Sequence, residues 1–184
     1  NGSEKPAQIK RIERENKSES AAKLAKPYRV FDGRLFLPHG QDIHEVSQDT
    51  IKQTVVSILR VEGPLHVNEA MRRITEAAGF SKVGKRIERH LRNAIQNGAR
   101  ENKVHLEQDF LYRDSNKEVI VRDRSDLLPK QKKIAEIPSE ERSVAVMNVV
   151  RNAFSLSKQE VISQALYSMG LKRATQQAKD LMVH

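Results

Sequence analysis

Sliding this chain against itself by 91 residues brings its landmarks into register without a gap. Val55 falls on Val146, Ile58 on Val149, Arg60 on Arg151, Leu65 on Leu156 and Glu69 on Glu160. Farther along, Ile74 falls on Ala165, Gly79 on Gly170, Phe80 on Leu171, Lys82 on Arg173 and Leu91 on Met182. An internal repeat of this kind means that one supersecondary unit is used twice. It excludes folds that need a single large sheet. Aromatic residues make up only 4 % of the chain, with no Trp, so the cores must be small and aliphatic, as two compact helical units require.

In the first copy, Ile51, Val55, Ile58 and Leu59 share one face of a helix spanning about 49–61, which Gly63-Pro64 ends. Leu65 and His66 form a short extended link. Asn68 is the expected cap of a second helix that carries Met71, Ile74 and Ala78. Gly79 closes that helix because the turn needs a residue tolerant of left-handed φ, and Phe80 is expected to plug the core beneath it. Ser81 is the expected cap of a third helix running to Gln96, with Asn97-Gly98 as its stop. Two strands, Lys103–Leu106 and Phe110–Tyr112, flank the polar turn Glu107-Gln108-Asp109. Helix, short strand, helix, turn, helix, hairpin is the order of a winged helix-turn-helix.

Outside this unit, residues 1–26 read as a mobile linker. Asp32-Gly33 lies between β-favouring runs and predicts a short hairpin over 28–37, within a lead-in spanning 27–46. The first winged unit occupies 47–113, and 114–137 reads as a basic connector with room for one strand. The second unit, 138–184, has a capping box at Ser157–Glu160 and stops inside its third helix, which suggests a piece of a longer protein. The expected fold class is thus mainly α with small β wings, two winged helix-turn-helix-like units in tandem with the second truncated.

A net charge of +9 points to an acidic partner, nucleic acid first. The charge is clustered. On the third helix Val83, Ile87, Leu91, Ala94 and Ile95 form a stripe to be buried, while Lys82, Lys85, Arg89, Arg92 and Gln96 recur at three and four on the other side. Arg86 and Asn93 flank them, and Arg100 and Lys103 extend the patch toward the hairpin. Arg and Lys bond phosphate oxygens and guanine, and Asn and Gln can bond adenine. The candidate nucleic-acid-binding residues are therefore Lys82, Lys85, Arg86, Arg89, Arg92, Asn93, Arg100 and Lys103. A weaker second set is Lys172, Arg173, Gln176 and Lys179, because Asp180 stands where Arg89 stood and would repel phosphate.

Other chemistries find little support. There are no cysteines, which excludes disulfides and thiol catalysis. The six histidines show neither helical pairing nor zinc-site spacing. Neither a phosphate-binding loop nor a nucleophile elbow occurs. Arg122-Asp123-Arg124-Ser125-Asp126 could belong to a nuclease, but two acids without a strand scaffold or a Lys partner are weak support. No catalytic residue, metal site or cofactor is expected in this chain, nor a membrane partner or small-molecule substrate.

Several stretches resemble the uncharacterised domain at the C-terminal end of large bacterial superfamily I helicase-like proteins, which often carry a restriction-endonuclease-like domain. They are Asp42-Ile43-His44-Glu45-Val46, Val61-Glu62-Gly63-Pro64-Leu65-His66, Ala78-Gly79-Phe80 with the basic run to Arg89, Gln108-Asp109-Phe110-Leu111, Val121-Arg122-Asp123-Arg124, Ile137-Pro138-Ser139-Glu140-Glu141 and Met169-Gly170-Leu171-Lys172-Arg173-Ala174-Thr175. The resemblance covers about residues 27–182. The family's Arg-Thr-Gly-x-Arg turn is altered here, to Lys82-Val83-Gly84-Lys85-Arg86 in the first copy and around Thr175-Gln176-Gln177 in the second. The resemblance implies a parent that couples ATP hydrolysis to movement on nucleic acid in defence against foreign DNA; the absence of cysteines and of a signal peptide leads to the expectation of a cytoplasmic location. This chain would serve such a parent as a DNA-binding accessory module for duplex or forked DNA. The alternative is a protein–protein docking platform for the motor domain of the same parent.

Overall fold

The structure is a computed structural model that describes residues 25–39, 41–113, 119–152 and 155–183. Its elements in chain order are β1 (Lys26–Pro27), α1 (Gln48–Glu62), β2 (Leu65–His66), α2 (Val67–Ala77), α3 (Lys85–Arg100), β3 (His105–Glu107), β4 (Phe110–Tyr112), β5 (Arg122–Asp123), α4 (Ser139–Arg151), α5 (Lys158–Ser168) and α6 (Gln176–Leu181). Single 3-10 turns occur at Ile43–Glu45, Pro129–Gln131 and Ile134–Glu136. Among the described residues the fold is mixed α/β, about 54 % helical with small sheets, so helix packing supplies most of the core. Two compact units form: residues 29–113 fall in one, and residues 25–28 with 119–183 in the other. Residues 1–24, most of the linker expected at the N-terminus, lie outside the described residues.

In the 29–113 unit, Ser47 caps α1 by accepting the Thr50 N–H at 3.1 Å. The helix then buries Ile51, Val55, Ile58 and Leu59, the stripe its spacing predicts. α1 packs on α2 and α3. Leu65 of β2 pairs with Leu111 of β4, and β4 also pairs with β3, giving an antiparallel sheet in the order β2-β4-β3. Leu65 and Leu111 both enter the helical core.

The second unit pairs α4 with α5 over Ala145, Val149, Ile162, Ala165, Leu166 and Met169. β1 and β5 run parallel, with Lys26 opposite Arg122.

The repeat is carried into the backbone. Gln48, Val67 and Lys85 open α1, α2 and α3, and Ser139, Lys158 and Gln176, at the same offset, open α4, α5 and α6. The turns at Ile43 and Ile134 keep that spacing too. Gly79 has φ 84° and Gly170 has φ 80°, as the shared left-handed turn demands. In each copy two bonds close the helix end: Phe80 N–H to the Thr75 carbonyl with Gly79 N–H to Glu76, and Leu171 N–H to Leu166 with Gly170 N–H to Tyr167. The Ser157–Glu160 capping box is formed.

Five local expectations are corrected. Residues 28–38 form no hairpin; residues 29–38 run without strand pairing over the first unit and place Phe31, Leu35 and Leu37 against its core. Glu62 takes the Phe31 N–H at 2.8 Å and the Ala77 carbonyl takes that of Leu35 at 2.8 Å, so partners distant in sequence replace a local turn. α2 starts at Val67, and His66 rather than Asn68 caps it, its Nδ1 accepting the Asn68 N–H at 3.1 Å. Phe80 is 37 % exposed, whereas its counterpart Leu171 packs on the second core. α3 starts at Lys85 from an extended Gly84, not at Ser81, and continues through Asn97-Gly98 to Arg100. It ends where Asn102 takes φ 55° and the Lys103 N–H returns to the Gly98 carbonyl. Finally, the described part of the basic connector, 119–137, belongs to the second unit, contributing β5, two turns and the buried residues Val121, Ile134 and Ile137.

Candidate nucleic-acid interface

α3 buries Leu91, Ala94, Ile95 and Gly98. Gly98 sits where an added methyl would lie 3.3 Å from the Lys52 stem, so α3 approaches α1 closely. Burying this stripe turns the opposite one outward. Lys85, Arg89, Asn93, Gln96 and Arg100 are all exposed, with Arg86 beside them. Helical spacing of three and four places these side chains on one side. Lys82, also exposed, lies in the non-helical stretch just ahead of the helix.

The cations differ in what neutralises them. Lys82, Lys85, Arg86 and Arg89 have no ion pair among the described residues. Arg92 is shared with Glu88 at 3.2 Å and with Asn68 at 3.4 Å. Arg100 donates to Asn97 at 3.2 Å and keeps its charge outward. Lys103 is different: it lies 3.0 Å from Glu101 and 3.7 Å from Asp49, both of which also bind Lys52 at 2.7 Å. The hydrogen bond to Asp49, then that to Glu101, holds the Lys52 pKa above its ordinary value. Hydrogen bonds from Lys52 lower both carboxyls, with Lys103 adding to the effect. Lys103 thus helps tie α1 to the end of α3 and leaves the set of free cations.

The β3–β4 turn is anionic. Glu107 and Asp109 are exposed around Gln108, whose φ is 52°. A phosphate approaching that tip meets two carboxylates and gains nothing from it.

In the second copy Lys172 and Arg173 are exposed ahead of α6, while Lys179 is half-buried. Gln176 donates to Asp180 at 2.7 Å, so the six-residue α6 spends its outward amide on its own acid. The two copies therefore share a frame and differ in surface charge.

Among the described residues, the most deeply buried ionic groups are ones that the sequence does not single out. Arg73, 2 % exposed, meets Glu62 at 2.7 Å, Glu69 at 2.8 Å and Glu76 at 3.0 Å. Burial works to lower the Arg73 pKa, and the three carboxylates raise it by more. Arg122 and Arg124, candidates for a nuclease fragment by sequence, instead clamp the fully buried Glu141 at 2.6 and 2.7 Å. Their guanidinium groups also lie 5.2 and 5.0 Å from the Tyr28 ring centre. The one available signal was a Glu at the apolar end of α1 and another in the first turn of α4, which periodicity alone treats as surface. Among the described residues no group of three His, Asp or Glu could hold a metal, and no helix is long and apolar enough to cross a membrane.

The family described as "Protein of unknown function (DUF3320)" matches residues 41–89. That stretch runs from just before the Ile43 turn through α1, β2 and α2 to Arg89 on α3, so it includes Lys82, Lys85, Arg86 and Arg89 but not the second copy. No curated protein and no solved structure matches the chain.

Proposed function

We propose that this chain is a DNA-binding accessory module, built from two winged-helix-like units, that serves a helicase-like parent protein. The observation that carries the reading is the exposed side of α3, where Lys85, Arg86 and Arg89 stand unpaired beside Lys82 while the other side is locked into the core. In a winged fold the third helix is the element that enters a major groove. Its N-terminus adds an electropositive end with open backbone N–H groups at the Gly84 cap. Asn93 and Gln96 on the same side have the donor–acceptor pairs that read base edges. The acidic β3–β4 turn leaves the helix, not the hairpin, as the contacting element.

Each neutralised phosphate contributes about −0.9 to the slope of log affinity against log salt. R86A/R89A is therefore expected to weaken duplex binding and to flatten the slope by about one to two. K103A, whose ammonium is already paired, is expected to leave that slope unchanged. Salt-titrated mobility shifts on blunt and forked duplexes measure both. Unaltered binding of R86A/R89A at about 50 mM salt places the interface elsewhere. A wild-type chain that binds no DNA there but holds a motor domain tightly is instead a docking platform.

A further inference from the structure

The 119–183 unit contains a cavity of about 660 Å³ between the 129–135 turns and the loop that leads into α6. That volume lies within the range of pockets that enclose small organic groups, about 300–1,000 Å³. Ile134, 8 % exposed, and Ala178, 4 % exposed, form its floor with half-buried Leu171. Lys133, Lys172 and Arg173 stand at its rim, all exposed. Lys133 is paired with Glu136 at 3.0 Å, and no ion pair involves Lys172 or Arg173 among the described residues.

The duplication offers an internal control. Positions Lys132, Lys133, Lys172 and Arg173 correspond in the first copy to Gln41, Asp42, Ser81 and Lys82. At three of the four the first copy has no cation, so the shared fold does not require Lys132, Lys133 or Lys172, whereas the cation at Arg173 is kept as Lys82. Asp42 caps the Ile43–Glu45 turn by accepting the Ile43 N–H at 2.6 Å, whereas Lys133 at the same place makes no capping bond and pairs with Glu136 instead.

We infer that this groove binds single-stranded nucleic acid, with a phosphate held by Lys172 and Arg173 and an adjacent base lying on Ile134, Leu171 and Ala178. The inference rests on the nucleic-acid reading of the chain and deepens it. A nucleotide joins a flat apolar face to an anion, and an apolar floor beneath a cationic rim is complementary to both. The two copies then divide the work: the first presents an exposed basic helix to a duplex, and the second a basic slot to an unpaired strand.

Fluorescence anisotropy on the whole chain tests this with a labelled oligothymidylate of about 12 nucleotides, within the site sizes of single-strand binders, and with a blunt duplex in parallel. K172A/R173A is expected to weaken the oligothymidylate about ten-fold and the duplex less than about two-fold, since lost phosphate contacts act where the phosphate binds. Q177E, which adds an acid to the exposed lining, is expected to weaken the oligothymidylate as well. R86A/R89A should show the opposite pattern. A wild-type chain that binds no oligothymidylate, equal losses on both ligands, or tighter capture of a Glu- and Leu-rich peptide through Lys172 and Arg173 overturns the groove. Oligothymidylate binding through these two residues without duplex binding keeps the groove and rejects the α3 interface; duplex binding through Arg86 and Arg89 alone does the reverse.

Discussion

E141A is expected to destabilise the 119–183 unit by about 3–5 kcal/mol, the range found when one partner of a buried ion pair is removed. Glu141 is 0 % exposed and accepts from Arg124 at 2.7 and 2.9 Å, from the Arg122 side chain at 2.6 Å and from the Arg122 backbone N–H at 2.9 Å. Alanine leaves one arginine buried, a second nearly so, and a backbone donor without an acceptor. The last bond also fixes the start of β5, so the loss spreads to the β1–β5 pair. Hydrogen exchange followed peptide by peptide reads the two units separately: protection should fall across 119–183 and persist across 41–113. Loss of less than about 1 kcal/mol would mean that water or rearrangement compensates the arginines.

The same carboxylate predicts a response to acid. Burial pushes the Glu141 pKa up, but the charges and hydrogen bonds of Arg124 and Arg122 push it down by more, and it lies below its ordinary 4.5. A carboxyl depressed by folding stabilises the native state above its unfolded value, and that contribution disappears as pH falls through the native one. The unit should therefore lose stability as pH drops from about 4.5, and E141Q, destabilised at pH 7, should show a flatter decline.

Two glycines at one repeat position form the second large contrast. At Gly79, φ is 84° and an added Cβ meets nothing within 4 Å. At Gly170, φ is 80° and the Cβ would lie 2.3 Å from the Ser125 nitrogen, 2.6 Å from the Arg124 carbonyl carbon and 2.6 Å from an Asp123 carboxylate oxygen. G79A is expected to cost its unit about 1–2 kcal/mol, the left-handed strain of an L-residue. G170A adds a collision with backbone, and overpacking of that kind costs about 1–3 kcal/mol more. It should also weaken the bond from the Arg124 N–H to the Met169 carbonyl, 3.1 Å, which ties the 122–125 segment to the end of α5. Denaturant midpoints of the two variants measure the gap. Equal losses would mean that residues 123–125 yield without cost.

What the sequence made legible was whatever repeats or alternates locally. The Gly79 and Gly170 turns, the Ser157–Glu160 box and the amphipathic third helix all follow from spacing within a few residues. What stayed hidden was decided by partners far along the chain. Asp32-Gly33 is a sound turn signal, yet Glu62 and Ala77 draw the flanking backbone onto the helices. Ser81 resembles a cap, yet the helix begins only at Lys85 after an extended Gly84, and Asn97-Gly98 resembles a stop, yet the helix continues through Gly98, which lies against the Lys52 stem of α1. Charge misled most, because Lys103, Arg122 and Arg124 look free in one dimension and are paired in three. Lys82, Lys85, Arg86 and Arg89, by contrast, were singled out by spacing and remain unpaired in the fold.

The constant 91-residue stride between the paired helix starts has a practical corollary. Because Lys85 and Gln176 open their helices at equivalent places, residues 81–90 and 172–181 can be exchanged as cassettes with no change in chain length. Hybrids carrying two strongly basic third helices, or none, become accessible by simple transplantation. The number of such helices per molecule is then a dial that can be set to zero, one or two.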